Sequence, residues 1–452
     1  MEKKDLKINQ NTEQTKQTTS RLAEKTEAQM RAEQRQNMLQ AFFRIHDFLV
    51  AHASMPIRRL LMDEIDWNDR LIAIKGGRGV GKTDFMLTRA KEIEHEWQNM
   101  PEPVYEGRRK PRKSIKDVRP CLYVSFNDFF FTEHTLLELV SAFVKTGGRY
   151  LFLDQLFKYP NWSRELKRCY NKYKELHIIF CATPVMPIDE DNNDNSDIKD
   201  IVKTYNLRGF SFREYLNIQT GLKFHAYTLE DIIQRHASIS REICERVRPL
   251  DYFKAYLKHG YYPSYLESKS FEAELLKVMN SQLEVDVLMI KQIDVACLHK
   301  IRKLLHILME EAPCALNISN ISEAIGLSRA TTMNYIKYLK DSRLINLLYP
   351  ENKTFPMKPT KLYMHNTNVA QMNFLRKLSP MDLYETYFYT MVHGSHKVNA
   401  TERSAMFIVD NNYYFDVHDT PSTRDTIRPT AVGELETGRG NQIPLWLLGF
   451  LY

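Results

Sequence analysis

Four glycines fall within eight residues in Gly76-Gly77-Arg78-Gly79-Val80-Gly81-Lys82-Thr83, directly behind the apolar run Leu71 to Ile74. The whole chain holds only 16 glycines, so their concentration here is a demand of local geometry. Backbone N–H groups can curl around an anion only where a Cβ would not obstruct the turn. The spacing G-x-x-x-x-G-K-T then sets a lysine point charge and a hydroxyl at the mouth of the ring. A following helix adds its positive end. Such a loop implies a triphosphate site: Lys82 on the β- and γ-phosphates, Thr83 on magnesium, and ATP with Mg²⁺ as the expected ligands.

The surrounding pattern fits that demand. Leu71–Ile74, Cys121–Ser125, Tyr150–Asp154 and His177–Cys181 are short apolar runs expected as strands. They alternate with stretches expected as helices over Thr83–Trp97, His134–Lys145 and Trp162–Lys174. That alternation predicts an α/β fold of P-loop NTPase type, with a parallel sheet covered by helices on both faces. Ligands in such folds sit at the carboxyl ends of the strands, where both Gly76 and Asp154 fall. Asp154 closes an apolar strand and is the expected magnesium-holding carboxylate. The next residue is Gln155, where many ATPases of this architecture carry a glutamate. An amide cannot accept a proton from the attacking water, although it can orient that water. Slow or conditional hydrolysis is therefore expected, with Lys82, Asp154 and Gln155 as the catalytic set. Thr183, after the fourth strand, suits either a γ-phosphate sensor or a strand cap.

Length and composition bound the rest. The chain has 452 residues, 43% apolar and 26% charged, which suits several globular domains. Its net charge of +7 is weak evidence for a polyanionic partner at this length. Six scattered cysteines without a C-x-x-C pair suggest reduced, buried thiols and argue against structural zinc. The start Met1-Glu2-Lys3-Lys4-Asp5 lacks a signal-peptide pattern, and no run reaches the roughly 18 apolar residues of a membrane span. No membrane partner and a cytoplasmic location are expected.

Residues 1–35 are polar and read as a disordered or helical tail. A helix follows with Met38, Phe42, Phe43, Ile45, Phe48 and Leu49 as its apolar face. The ATPase domain is expected over 36–225, a helical lid over 226–297, a winged helix over 298–365 and a reduced α+β domain over 366–452. Within the third unit, Ile318–Ile325, Gly326 and Ser328 give a helix, a turn and an N-cap. The next helix would expose Arg329, Thr331, Thr332, Asn334 and Lys337 to phosphates and base edges of double-stranded DNA. A helix pair used for packing or protein contact reads the same way. The basic stretch Arg108–Arg119 would suit either a nucleic-acid backbone or a solvated insertion. Asp189–Asp200 approaches calcium-loop spacing, but Asp194 stands where that loop needs glycine, so it reads as an exposed acidic loop.

Gly76–Thr83, Leu151–Gln155, Leu207-Arg208-Gly209-Phe210-Ser211-Phe212-Arg213-Glu214-Tyr215-Leu216 and Tyr256-Leu257-Lys258-His259-Gly260-Tyr261-Tyr262-Pro263 together resemble the predicted prokaryotic AAA-type ATPases. The likeness covers most of the chain from about residue 55. It implies ATP binding at Lys82, Thr83 and Asp154, a winged helix, and a C-terminal domain of unknown function related to PD-(D/E)xK nucleases. A nuclease of that type needs an acidic residue and then Glu-x-Lys. Asp416 would be the first carboxylate and Glu434 or Glu436 the second, but no lysine follows Lys397. The nuclease site therefore reads as lost. A nucleotide-dependent, DNA-associated switch is the leading expectation. The alternatives are an ATP-gated protein-interaction module and a nuclease. Self-association is also open, with Arg208 and Arg213 as arginine-finger candidates.

Overall fold

The computed structural model describes residues 33–101, 114–188, 198–372, 376–401, 405–424 and 426–452. Five parallel strands make the first sheet: β1 (Leu71–Lys75), β2 (Cys121–Ser125), β3 (Tyr150–Asp154), β4 (His177–Ala182) and β5 (Lys203–Asn206), in the order β2-β3-β4-β1-β5. Interior strands covered on both faces can be apolar throughout, and here alternate side chains feed two cores. Leu71, Ala73, Leu151, Leu153, Ile178 and Phe180 point to one core. Helix α1 (33–52) covers that side. Beyond the helix α2 (Lys82–Gln98), two more helices complete the cover: α3 (Leu136–Lys145) and α4 (Trp162–Lys172). Ile72, Ile74, Phe152 and Ile179 point to the other core, against Phe85, Met86 and Ala90 of α2. The chain leaves β1 for the far edge, returns through β3 and β4, and then places β5 on the opposite side of β1. That reversal opens a crevice at the carboxyl end of β1, where the glycine loop begins.

Sequence and structure differ at two places in this domain and at three cysteines beyond it. Strand β5 was not expected, because its Lys-Thr-Tyr-Asn sequence is that of a half-exposed edge strand. On α1 the buried face is Leu39, Phe42, His46 and Val50, while Ile45 and Phe48 are exposed. His46 belongs inside because its ring is bonded at both nitrogens, to Glu94 at 2.9 Å and to the Tyr123 N–H at 3.0 Å. Of the six cysteines, Cys121, Cys169 and Cys181 are buried, but Cys244, Cys297 and Cys314 are only partly so. Residues 108–113 of the basic stretch and 189–197 of the acidic loop lie outside the described residues. Arg119, at the end of the former, is paired with Asp47 and lies 4.0 Å from the Phe43 ring centroid.

The segment 207–216 leaves β5 and enters α5 (Phe212–Thr220) through a capping box of Ser211 and Glu214. Glu214 also meets Arg59 at 2.8 Å, both buried, and Arg59 donates to the Arg208 and Gly209 carbonyls. Helices α6 (Leu229–Cys244) and α7 (Pro249–Ala255) follow, the latter running into a π-helical turn over Tyr256–Gly260. A π turn leaves carbonyls without their usual donors. Asn368 meets that need: its amide donates to Tyr256 and Leu257 oxygens and accepts from the Tyr261 N–H at 2.9 Å. The Phe210 N–H in turn donates to the Tyr261 oxygen at 2.7 Å.

Helix α8 (Phe271–Ser281) continues as a π-helical stretch, Gln282–Met289. Next come α9 (Leu298–Glu311), α10 (Ile318–Ile325) and α11 (Arg329–Asp341), then the antiparallel pair β6 (Ile345–Leu348) and β7 (Lys361–Met364). Gly326 ends α10 with φ 64°, and the Ser328 hydroxyl caps α11 by accepting from the Thr331 N–H at 3.1 Å. Helix α12 (Pro380–His393) and the strands β8 (Val398–Asn399), β9 (Phe407–Val409), β10 (Tyr413–His418), β11 (Thr430–Val432) and β12 (Gln442–Pro444) complete the chain. The last three strands are parallel and the first three antiparallel. Trp446 and Phe450 pack against Phe212 of α5.

A methyl group at Gly209 would collide with both the ring and the backbone oxygen of Tyr261. Gly209→Ala is expected to destabilise the chain by about 1–3 kcal/mol, seen as a lower urea midpoint with an unchanged slope.

Candidate nucleotide site

The glycine loop closes as its sequence demands. Gly79 and Gly81 adopt φ 76° and 87°, which side chains strongly resist. Gly76 has no room for a Cβ, because the Leu207 carbonyl lies against it. The Thr83 hydroxyl donates to Asp154 Oδ2 at 2.7 Å, so the two residues expected at the metal share one point. Hydroxyl and carboxylate are hard oxygen donors of the kind magnesium takes, and the pair fits that ion. Asp154 is 6% exposed. The Gln155 N–H donates to its other oxygen at 2.7 Å, and Gln155 itself turns at φ 56°. Arg78, Gly79, Lys82, Thr83, Asp154 and Gln155 all line one cleft of about 330 Å³, whose opposite wall is Pro263, Ser264 and Glu267.

Lys82 does not point into open space. Its ammonium donates to the Gly76 and Gly77 oxygens at 2.8 and 2.7 Å, and burial holds its pKa below the usual lysine range. A phosphate arriving in the loop would exchange these neutral carbonyls for a charged acceptor, which is a stronger partner. Thr183 is 4% exposed and its hydroxyl has no partner. A buried donor left unpaired costs free energy, so a ligand oxygen within its reach would relieve that cost.

Four further residues contribute to the site. Tyr123 donates its hydroxyl to Asp154 Oδ2 at 3.0 Å, and burial and then the carboxylate push its own pKa far up, so it stays a donor. Tyr262 and Val278 lie against Gly79, bringing the helical unit onto the loop. Asp286, in the π-helical stretch and fully buried, binds Arg78 through two nitrogens at 3.0 and 2.8 Å. Burial raises the Asp286 pKa against the lowering pull of Arg78. Only the position of Tyr123 on the strand beside Asp154 was open to sequence reasoning; Asp286 is 208 residues from its partner.

The other named residues separate. On α11, Arg329 and Asn334 are exposed and Thr331 is half-buried. Thr332 is 0% exposed, bonded to the Ser328 oxygen and the Ser322 hydroxyl, so it is not a surface contact for DNA. It faces inward because it clamps α11 to α10. Lys337 pairs with Asp341 at 3.2 Å and is turned towards the ATPase domain rather than outward with Arg329. Arg213 is buried, donating to the Tyr452 and Phe224 oxygens, and Arg208 donates to Ser395. Neither lines the nucleotide cleft. Asp416 faces Arg428 at 3.5 Å and accepts from the Met406 N–H. Among the described residues no three His, Cys, Asp or Glu side chains gather as a metal site. No described helix is long and apolar enough to cross a membrane.

The parallel sheet, its glycine loop and the Thr83–Asp154 pair define a P-loop NTPase. Residues 68–216 match the AAA domain, so this part of the chain is a P-loop domain of AAA type. Residues 250–378 match a domain of unknown function, spanning the helical unit and the helix-turn-helix together. No curated protein matches the sequence. Among solved structures, the chain is similar to the Aeropyrum pernix ORC1 protein in complex with DNA, at 10% identity and TM-score 0.29, over 73% of this chain and 90% of that one. It is also similar to AMPPCP-bound DnaA from Aquifex aeolicus, at 13% identity and TM-score 0.26, over 66% and 88%. Scores this low add nothing to the reading of the site.

Asp286→Asn keeps the shape of the Arg78 partner and removes its charge. It is expected to cost about 3 kcal/mol of unfolding free energy, and Arg78→Ala combined with it should cost less than the sum of the two single changes. Urea unfolding of the two single variants and the double variant measures this.

Proposed function

We propose that the chain is an ATP- and magnesium-binding switch with slow or conditional hydrolysis. The observation that carries this reading is the convergence of Lys82, Thr83, Asp154 and Gln155 on a cleft walled by Pro263, Ser264 and Glu267 of the helical unit. Bound magnesium would neutralise charge on the phosphates, held by Thr83 and Asp154. Lys82 would leave the Gly76 and Gly77 oxygens for the phosphates. Gln155 would orient water without accepting its proton. Arg78 and Gly79, in the loop, touch the helical unit through Asp286, Val278 and Tyr262. A change of loop shape on binding therefore has a direct path to that unit and to the winged helix behind it.

Two assays test the switch. Lys82→Ala is expected to lose ATP affinity at least tenfold. Gln155→Glu is expected to raise turnover above the parent, and equal or lower turnover would remove the explanation of slow hydrolysis. DNA association is the finer part of the proposal and rests on Arg329, Thr331 and Asn334, with Lys337 a contact only if the winged helix turns away from the ATPase domain. Arg329→Ala plus Lys337→Ala is expected to abolish retardation of duplex DNA, and binding should weaken steeply with salt. A second reading, a protein-interaction module gated by ATP, is favoured by the inward turn of Lys337. It predicts no salt-dependent DNA retardation in any nucleotide state.

A further inference from the structure

A second cavity, of about 450 Å³, lies between the carboxyl edge of the first sheet and the helix-turn-helix. It shares no wall residue with the nucleotide cleft. Among the described residues Lys75, Arg208, Lys291, Lys337, Lys340 and Arg343 line it, with one carboxylate, that of Asp341. They come from four parts of the chain: the end of β1, the segment after β5, the residues just after the π-helical stretch Gln282–Met289, and α11 with its exit. Convergence of like charges from separated elements costs free energy unless something balances them. Asp341 is bonded to Lys337, and Arg208, Lys291, Lys340 and Arg343 meet no carboxylate among the described residues.

The site is built rather than incidental. Arg343 turns at φ 61° to enter the cavity and donates to Asn206 at 3.0 Å. Arg208 is held by Ser395 and by the Tyr452 ring, 4.4 Å from its guanidinium carbon, while its Nη1 is shielded from water and has no partner. His365 and His393 stand among these cations. Burial, with Arg343 and His393, pushes His365 down to about 3, and burial, with Lys340, Arg208 and Arg343, pushes His393 down to about 4. Both rings are therefore neutral and leave the field to the lysines and arginines. The size is that of a small-molecule site, but the lining is mainly cationic and polar, and its tyrosine, Tyr261, is buried.

We infer that this cavity is a second anion site, for a ligand whose recognised part is a chain of two or more phosphoryl groups. Because its walls come from both the ATPase sheet and α11, an occupied cavity ties the two together. Arg343 makes the connection to the first site: its stem lies 3.8 Å from where a Cβ on Gly77 would stand. The inference does not depend on ATP binding at the glycine loop and can be tested with that loop disabled.

The test is calorimetric titration of the full chain carrying Lys82→Ala with inorganic tripolyphosphate, orthophosphate and ATP. Tripolyphosphate is expected to bind at least tenfold more tightly than orthophosphate, and ATP no more than a few-fold differently from tripolyphosphate. Adding Lys291→Gln and Lys340→Gln, two changes at the cavity rim, is expected to weaken tripolyphosphate at least tenfold with thermal unfolding unchanged. Absence of binding, binding indifferent to the two glutamines, or binding of ATP alone would overturn the inference. So would displacement of tripolyphosphate by duplex DNA at equal phosphate concentration, which would assign these cations to nucleic acid. Identical ATP titrations of the parent and Lys82→Ala, with tripolyphosphate binding retained in both, would overturn the nucleotide reading and leave this one standing.

Discussion

The short chain from Leu207 to Phe210 is the constraint on which the molecule turns. On one side the Leu207 carbonyl fills the space where Gly76 would carry a Cβ, so it sets where the phosphate loop can begin. On the other, the Phe210 N–H holds the Tyr261 oxygen, and Gly209 permits the approach. The same strip thus touches the loop that would cradle phosphates and the turn that starts the helical unit. Arg59 fixes it from outside through Glu214 and two carbonyls. That ion pair is buried, and buried pairs are weak sources of net stability; its contribution is to hold one geometry.

Around this strip the charges are arranged by burial. Lys82 rests on its own loop, and Arg78 is occupied by Asp286 across the domain boundary. Arg343 is anchored on Asn206 of β5. Each basic group near the phosphate loop is thus held at a defined point before any anion arrives. This is preorganisation: the cost of ordering long side chains is met during folding, and less of the binding free energy is lost to it. The neutral state of His365 and His393 follows first from burial and then from the neighbouring cations.

Much of the ATPase domain was legible because buried parallel strands have a plain signature: short apolar runs ending at glycine or a carboxylate. The strands ending at Asp154 and Ser125 appear at the expected residues. Strand β5 was illegible because an edge strand buries little and its four residues are polar. The helix-turn-helix was readable from Gly326 and Ser328, whose roles are local. Thr332 was misplaced because helix periodicity cannot say which neighbour a threonine faces; here it is Ser322. Asp286 and Arg343 were out of reach for a further reason. Their importance is created by contacts with residues far away in the chain, and nothing in their immediate neighbours marks them.

The second core does not stop at the ATPase domain. From Ile72 and Phe85 it runs without a break through Tyr256 and Leu283 to Ile336, then to Phe388 and Trp446. Units that share one interior do not have separate folding transitions. The chain behind β5 should therefore melt together with one face of the sheet, and an excised helix-turn-helix would expose apolar surface normally covered by its neighbours. In this architecture, cooperativity is the medium of communication: a ligand that stabilises any one wall raises the free energy needed to open all of them.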